Sequence, residues 1–537
     1  MRFLPALLFI TLAASLARAA NPTAPLPLAE AAKKVAGQLE AGGIVTAERT
    51  GDKLSYSSAG HVEPAGVPPE KVVFEIGSIS KVFTGILLAQ AVLEGKLKPD
   101  SPLRDLLGKN QIFADPKVAA ITPLQLATHT SGLPRIPEGL GSPEDPYASF
   151  DRGKLSRYLS KLKLEGSPPF EFAYSNLGFG ILGEVLSRLY GKPWAVLVQE
   201  RITGPLGMHD TTVSLTADQT ARFSPPYTEG KPSHRWNFTA LAGAGALRST
   251  AADMVRFGDA LVAPEKTPIA ASLRLMMEPH APDGSSGFAI AIGKMDGSTV
   301  YEHAGGTGGY RSVVQVIPAS RQVRVVLINN SSLEAGAVLQ ATHPAPAPGT
   351  FKEGTSPPDD KLAELTGIYT LGESRFTILL QNHHLQARLS HQVFMPLFAG
   401  EKPDRFFYKD VAAEIGFKRE NGAITALTLF QNGREKLAPK TPDPAPAYHL
   451  LPASQLKPYE GVYHVNLTLD MTLKVRGNTL FTQLGPSPAM AVYETAPDVF
   501  EMADFKATLH FERNAQGGII GVTSREKGRE LHGVRQK

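Results

Sequence analysis

Apolar residues at Leu28, Ala31, Ala32, Val35 and Leu39 recur at helical spacing and Gly42-Gly43 ends the run, which predicts a helix over 28–39. Ile44-Val45-Thr46-Ala47 and Leu54-Ser55-Tyr56-Ser57 read as two strands turned around Gly51-Asp52. From Lys81 to about Phe257 the pattern is mainly helical, clearest at Val82–Leu93 and Leu177–Leu189. β-Branched, closely spaced strands return at Phe288–Ile292, Ser312–Ile317 and Val323–Ile328. Two strands, a long helical insertion and three more strands predict an α+β domain with a largely antiparallel sheet.

After Asn330 the composition shifts to Thr342-His343-Pro344-Ala345-Pro346-Ala347-Pro348-Gly349, so residues 336–360 are expected to be a linker. A second proline-rich stretch, Pro439 to Ala447, divides the remainder into 361–438 and 451–537. The two pieces match at one offset of 94 positions: Gly367-Ile368-Tyr369 with Gly461-Val462-Tyr463, Phe406 with Phe500, and Phe417 with Phe511. That predicts a duplicated domain. Short alternating runs such as Phe376–Leu380 and Met471–Val475, separated by turn residues, read as a small all-β barrel in each copy.

Composition narrows the functional classes. The 55 Lys and Arg exceed the 51 Asp and Glu by only 4, too weak a surplus for a nucleic-acid platform or a membrane-hugging surface. Zero cysteines exclude disulfide frameworks, thiolate zinc sites and a cysteine nucleophile, and scattered histidines such as His383-His384 have no carboxylates at ligand spacing, so no metal or cofactor is expected. Met1-Arg2, the apolar run Phe3 to Leu16 and Ala17-Arg18-Ala19 read as a signal peptide over 1–20, interrupted by Pro5 and too short to span a bilayer. The expectation is a periplasmic or secreted protein with no membrane association after cleavage.

Three segments carry candidate chemistry. In Glu75-Ile76-Gly77-Ser78-Ile79-Ser80-Lys81 the serine at 78 sits near a helix start with Lys81 one turn on, where a desolvated lysine can take a hydroxyl proton. A capping serine followed by a surface lysine gives the same pattern, and Ser80 competes for the role although Phe83 stands where its lysine would be. In Phe172-Ala173-Tyr174-Ser175-Asn176, Tyr174 can relay a proton and Asn176 can hold an amide, while in isolation Asn176 reads as a helix cap. In Tyr301-Glu302-His303-Ala304-Gly305-Gly306-Thr307-Gly308-Gly309-Tyr310, the glycines allow close approach to a ligand or mark a hairpin, and His303 ends a predicted strand.

In order and spacing, Ser78-Ile79-Ser80-Lys81, Tyr174-Ser175-Asn176 and His303-Ala304-Gly305 resemble the three active-site boxes of the serine β-lactamase and penicillin-binding protein family, nearest its class C branch. Leu126-Ala127-Thr128-His129-Thr130-Ser131-Gly132-Leu133-Pro134, Pro205–Met208 and Gly245–Met254 are similar to framework stretches of that family. The resemblance covers about 27–335 and implies an antiparallel sheet flanked by helices. It also implies Ser78 as acylated nucleophile, Lys81 as proton acceptor and Tyr174 as the phenol that serves the leaving group. Asn176, His303 and Gly305 would bind substrate, and the backbone N–H groups of Ser78 and Gly306 would form an oxyanion hole.

The third box departs from the family pattern, which begins with Lys followed by Thr or Ser. His303 and Ala304 replace the cation and hydroxyl that grip a carboxylate. A histidine-led box resembles the D-aminopeptidase and esterase members, which carry two eight-stranded, lipocalin-like barrels after the catalytic domain. In those relatives a barrel loop enters the site, and no motif here fixes which loop would do so. The expectation is an exported serine hydrolase of small amides or peptides, D-amino-acid-containing ones first, with a carboxylesterase or weak β-lactamase as the alternative. A penicillin-binding sensor or scaffold with slow deacylation is the reading from another class. The expected partner is a small-molecule or peptide substrate rather than nucleic acid, and the oligomeric state is left open.

Overall fold

The computed structural model describes residues 26–342 and 351–536, apart from 373, 391, 432–433, 467–468, 486–488, 504–506 and 527–528. The signal segment expected over 1–20 lies outside the described residues. The chain divides between 347 and 348 into two compact units, with Arg434 and Glu435 counted in the first. No helix among the described residues is long and apolar enough to cross a membrane.

In the first unit, helix α1 (Leu28–Ala36) precedes a hairpin of β1 (Gly43–Thr50) and β2 (Lys53–Gly60). The helical insertion contains α2 (Ser80–Leu93), α3 (Asn176–Tyr190) and α4 (Ala251–Val262). Strands β3 (Ala291–Met295), β4 (Ser298–Gly306), β5 (Arg311–Ile317) and β6 (Gln322–Ile328) follow. Every pairing is antiparallel, in the order β3-β4-β5-β6-β1-β2, so chain-distant β6 and β1 lie side by side with Ala47 opposite Val325.

The strand pattern follows from what covers each face. Val314, Val316, Val323, Val325 and Leu327 enter the main core, while Val313, Val326 and Ile328 pack with Leu28, Ala31 and Val35 of α1. Both faces are covered, so from Val325 to Ile328 β6 reads as an unbroken apolar run rather than an alternating one. Helix α2 is the helical counterpart: Val82, Phe83, Ile86, Leu87, Leu88 and Ala89 are fully buried, which makes it apolar on all sides. Its first turn is therefore buried as well.

Two expectations change. The run Phe288–Ile292 enters the sheet only at Ala291, because Phe288 is buried beneath α2, where a Cβ on Gly85 would collide with the Phe288 carbonyl oxygen. The first unit also continues past 335: α5 (Ala335–Ala341) lies where a linker from 336 was expected, and Val338 and Leu339 share the core of α1.

In the second unit, residues 367–439 form eight antiparallel strands in sequence order and residues 461–535 form a closed eight-stranded barrel. The repeat extends to side chains. Tyr369 donates to Leu365 O (2.7 Å) and Tyr463 to Tyr459 O (2.8 Å). Arg419 pairs with Asp404 (2.8 Å) as Arg513 does with Asp498 (2.6 Å), and Phe406 and Phe500 stand edge-on to Phe417 and Phe511.

The expected pair of barrels is corrected to one closed barrel and one incompletely closed copy. In the second copy Val534 pairs with His464 and Arg535 with Tyr463. In the first, Pro439 occupies the position before the seam and has no N–H to give, so closure is limited to an isolated bridge between Tyr369 and Lys440 and a bond from Thr441 N to Ile368 O (2.8 Å). The closed barrel holds a packed core of Tyr463, Met471, Leu473, Leu480, Phe500, Leu509 and Val522, in place of the cup implied by a lipocalin-like reading.

Candidate active site

A short ladder between Val73–Glu75 and Arg248–Thr250 delivers the chain to a single 3₁₀ turn, Gly77–Ile79, which runs directly into α2. Gly77 has φ +48° and a Cβ there would lie 2.7 Å from Gly306 N, so the turn needs glycine both for its backbone and for its approach to β4. Gly305 is packed against Ile76 O so closely that a Cβ would collide with it, and Ser312 Oγ donates to that same oxygen (2.9 Å). These contacts hold Ser78 beside the end of β4. Ser78 remains partly accessible, whereas Ser80 is fully buried and accepts from Leu247 N (3.0 Å). Ser80 thus fastens the first turn of α2.

Lys81 is fully buried, and its Nζ lies 2.9 Å from Ser78 Oγ, 2.8 Å from Asn176 Oδ1 and 2.7 Å from Ala244 O. Burial, reinforced by repulsion from Arg135, holds its pKa well below the ordinary lysine range. Loss of water and the like charge of Arg135 both act against its positively charged form, while the three oxygen acceptors around Nζ act for it.

The second box differs from its reading in isolation. Ser175, rather than Asn176, caps α3: its Oγ accepts from Gly178 N (2.9 Å) and donates to Pro134 O (2.7 Å). Asn176 is thus free to turn inward, where Nδ2 donates to Tyr147 Oη (3.0 Å) while Oδ1 faces Lys81. Tyr147 is buried, stacks on Phe238 at 4.6 Å, and has its pKa raised by that burial. The Tyr174 ring centroid lies 4.9 Å from Lys81 Nζ and 4.8 Å from the Arg135 guanidinium carbon. His129, in a left-handed backbone conformation (φ +59°), accepts from Ser175 N through Nδ1 (3.0 Å) and lies against Tyr174 at 4.3 Å. Burial and nearby cations keep His129 well below its ordinary pKa, consistent with an acceptor nitrogen.

On the strand side, His303 is buried with Nδ1 2.7 Å from Ala304 O, so that nitrogen carries the proton. Burial, then the charge of Lys81, pushes its pKa down to about 4, and the imidazole is neutral at pH 7. The next residue, Ala304, is exposed, and Gly305 and Gly306 carry the strand past the Ser78 turn. The six residues expected at the site, together with Gly306, thus come from three elements to one place.

Three further contributors escaped the sequence reading. Ala244 acts through a backbone oxygen, which no motif records. Tyr147 lies in a stretch without helix or strand between Arg135 and Phe150. Arg135 directly follows the framework stretch that ends at Pro134, and its guanidinium lies over the Tyr174 ring.

A family model described as Beta-lactamase matches residues 31–345, more than half of the chain. The chain is similar to the D-alanyl-D-alanine-carboxypeptidase/endopeptidase AmpH of Escherichia coli (strain K12), 34% identical over 209 residues, which cover 38% of this chain and 54% of AmpH. It is also similar to Penicillin-binding protein 4 of Amycolatopsis lactamdurans, 31% identical over 287 residues, covering 48% of this chain and 72% of that protein. Among solved structures, a beta-lactamase/D-alanine carboxypeptidase from Yersinia pestis aligns with a TM-score of 0.50 at 25% identity, covering 58% of this chain and 97% of that one. The match of the family model over more than half of the chain, with a serine and a buried lysine in contact at the start of a central helix inside it, places this chain in the Beta-lactamase family.

Proposed function

We propose that the chain is an exported hydrolase that is acylated at Ser78 by small amides or peptides, D-amino-acid-containing ones first, and then passes the acyl group to water. The observation that carries this reading is the set of partners around Lys81 Nζ. A neutral amine has two N–H donors and one lone pair. Asn176 Oδ1 and Ala244 O can only accept, so they take the two donors and leave the lone pair toward Ser78 Oγ. The Ser78 hydroxyl then donates to Lys81, the arrangement a general base requires.

In the proposed reaction Ser78 Oγ bonds to the scissile carbonyl carbon while its proton passes to Lys81. The carbonyl electron pair moves to oxygen, facing the N–H groups of Ser78 and Gly306. Collapse breaks the carbon–nitrogen bond, and the leaving amine takes its proton through Tyr174. Water then attacks the ester, and Ser78 regains its hydrogen. AmpH, named a carboxypeptidase/endopeptidase, supports a peptide substrate. The basic start, apolar run and Ala17-Arg18-Ala19 support export.

The test compares the mature protein with Ser78→Ala on D- and L-alanine anilides, an acyl-D-Ala-D-Ala peptide, nitrophenyl esters and a chromogenic cephalosporin, following rate and intact mass. The expected result is turnover of the D-substrates, an acyl adduct on the peptide containing Ser78, and a loss of about 10⁴-fold or more in the variant. Equal rates on both anilide enantiomers, or full activity in Ser78→Ala, overturn the reading. A burst of one equivalent without a steady state favours the sensor. Ester turnover alone does not identify the substrate, because esters need less protonation of the leaving group.

A further inference from the structure

Three contacts from one residue converge on Tyr174. His129 O accepts from Ala173 N (2.7 Å) and His129 Nδ1 accepts from Ser175 N (3.0 Å), so one residue holds the amides on both sides of the phenol. Its imidazole lies against the Tyr174 ring at 4.3 Å, with Phe179 at 5.0 Å and Phe172 at 5.6 Å around it. His129 is buried, and its left-handed backbone (φ +59°) is a conformation in which asparagine, aspartate and histidine are the commonest residues after glycine. Nδ1 accepts only while the imidazole is neutral, and burial, then the charges of Lys81, His303 and Arg135, hold its pKa well below the ordinary value. The start of α3 has fastenings of its own, from Ser175 Oγ to Pro134 O and from Asn176 N and Leu177 N to Arg135 O. What His129 adds falls on Tyr174 itself.

We propose that His129 is a positioning residue for the reaction, acting through Tyr174 by fixing the phenol where it hands a proton to the leaving group. This rests on the role given to Tyr174 in the reaction above. A general acid works only within hydrogen-bond reach of the atom it protonates. A displaced phenol therefore slows substrates whose leaving group needs the proton and spares those whose leaving group does not. Asparagine bonds Oδ1 to Cγ where histidine bonds Nδ1, so it can accept from Ser175 N and tolerates the left-handed backbone. Alanine offers no acceptor.

The experiment measures kcat/KM on D-alanine anilide and on the nitrophenyl ester of the same acyl group, for the full chain, His129→Ala, His129→Asn and Tyr174→Phe. Both substrates give one acyl-enzyme, and only the anilide needs its leaving group protonated. His129→Ala is expected to lose about ten- to a hundredfold on the anilide and less than about threefold on the ester. His129→Asn recovers most of that loss, and His129→Ala added to Tyr174→Phe lowers the anilide-to-ester ratio no further. An equal loss on both substrates in His129→Ala makes the residue a support of the fold and overturns the proposal. So does a His129→Asn variant no better than His129→Ala, or a further fall of the ratio in the double variant. An unchanged ratio in Tyr174→Phe removes the role of Tyr174 itself, and the proposal falls with it. Absence of any acylation at Ser78 overturns both readings. Should the anilide resist cleavage while the ester still acylates Ser78, the amide reading fails on its own. The same ratio is then read between the ethyl and nitrophenyl esters, because ethoxide also needs the proton, and the same outcomes decide.

Discussion

The helical and strand sides of the site treat charge in opposite ways. On the helical side a lysine is buried beside Ser78, bonded to carbonyl oxygens, and burial lowers its pKa well below the ordinary lysine range. On the strand side the position that the resembled family gives to a cation is filled by an imidazole whose charge is suppressed by burial. Under the proposed reaction the contrast separates two tasks: activating Ser78 depends on the buried lysine, and choosing the substrate depends on groups that face it. The first set of groups is kept here and the second is replaced.

The largest effect tests the helical side. Lys81→Met removes the proposed proton acceptor and the amine that donates to Asn176 Oδ1 and Ala244 O, so the acylation rate is expected to fall by about 10²- to 10⁴-fold. Single-turnover mass spectrometry measures it, with a melting curve to show that the fold survives. A variant that is acylated at the original rate breaks the comparison.

Acid stability tests the strand side. The folded-state pKa of His303 is about 4 against 6.5 for the free side chain, so the unfolded chain binds more protons between those values. Stability is fully present above pH 6.5 and falls as pH drops toward 4, by up to about 3 kcal/mol from this group. Chemical denaturation of the unaltered chain and of His303→Gln across that window is expected to show a shallower pH slope in the variant. Parallel slopes count against the buried neutral imidazole.

Gly77→Ala joins the two sides, because its Cβ would meet Gly306 N in a left-handed backbone conformation. A loss of about 1–3 kcal/mol is expected from denaturation midpoints, with acylation slowed as the turn pulls away from β4. The smallest effect sharpens the contrast. Restoring the family pattern with His303→Lys and Ala304→Thr together is expected to raise cephalosporin acylation by about tenfold without changing the partners of Lys81. No gain leaves carboxylate recognition with groups outside the third box.

Sequence made the helical side more legible than its supports. Ser78 and Lys81 are three apart on one helical face, and that spacing already separates Ser78 from Ser80. Ser175 and Asn176 are both ordinary capping residues one position apart, and only the bond from Gly178 N settles which one caps. Arg135 and Tyr147 reach the site from irregular segments, where no periodicity tells which way a side chain faces. In the fold, the apolar content of Phe288–Ile292 announced burial correctly for Phe288, Ala289 and Ile290 but not its form, since an apolar run packed under Gly85 looks the same as a strand. The tail duplication was visible because a Gly-x-Tyr start and paired phenylalanines recur, whereas the effect of Pro439 on ladder closure required knowing what lay opposite it.

Pro439, at the end of the first repeat, makes two otherwise matched halves behave differently under slow local opening. Backbone amides along Gly367–Leu371 should trade hydrogen for deuterium sooner than those along Gly461–Asn466, because one terminal strand is stitched by a ladder and the other by little more than a single clasp. One imino acid thus gives the older symmetry of the tail a direction, with an end that unzips first.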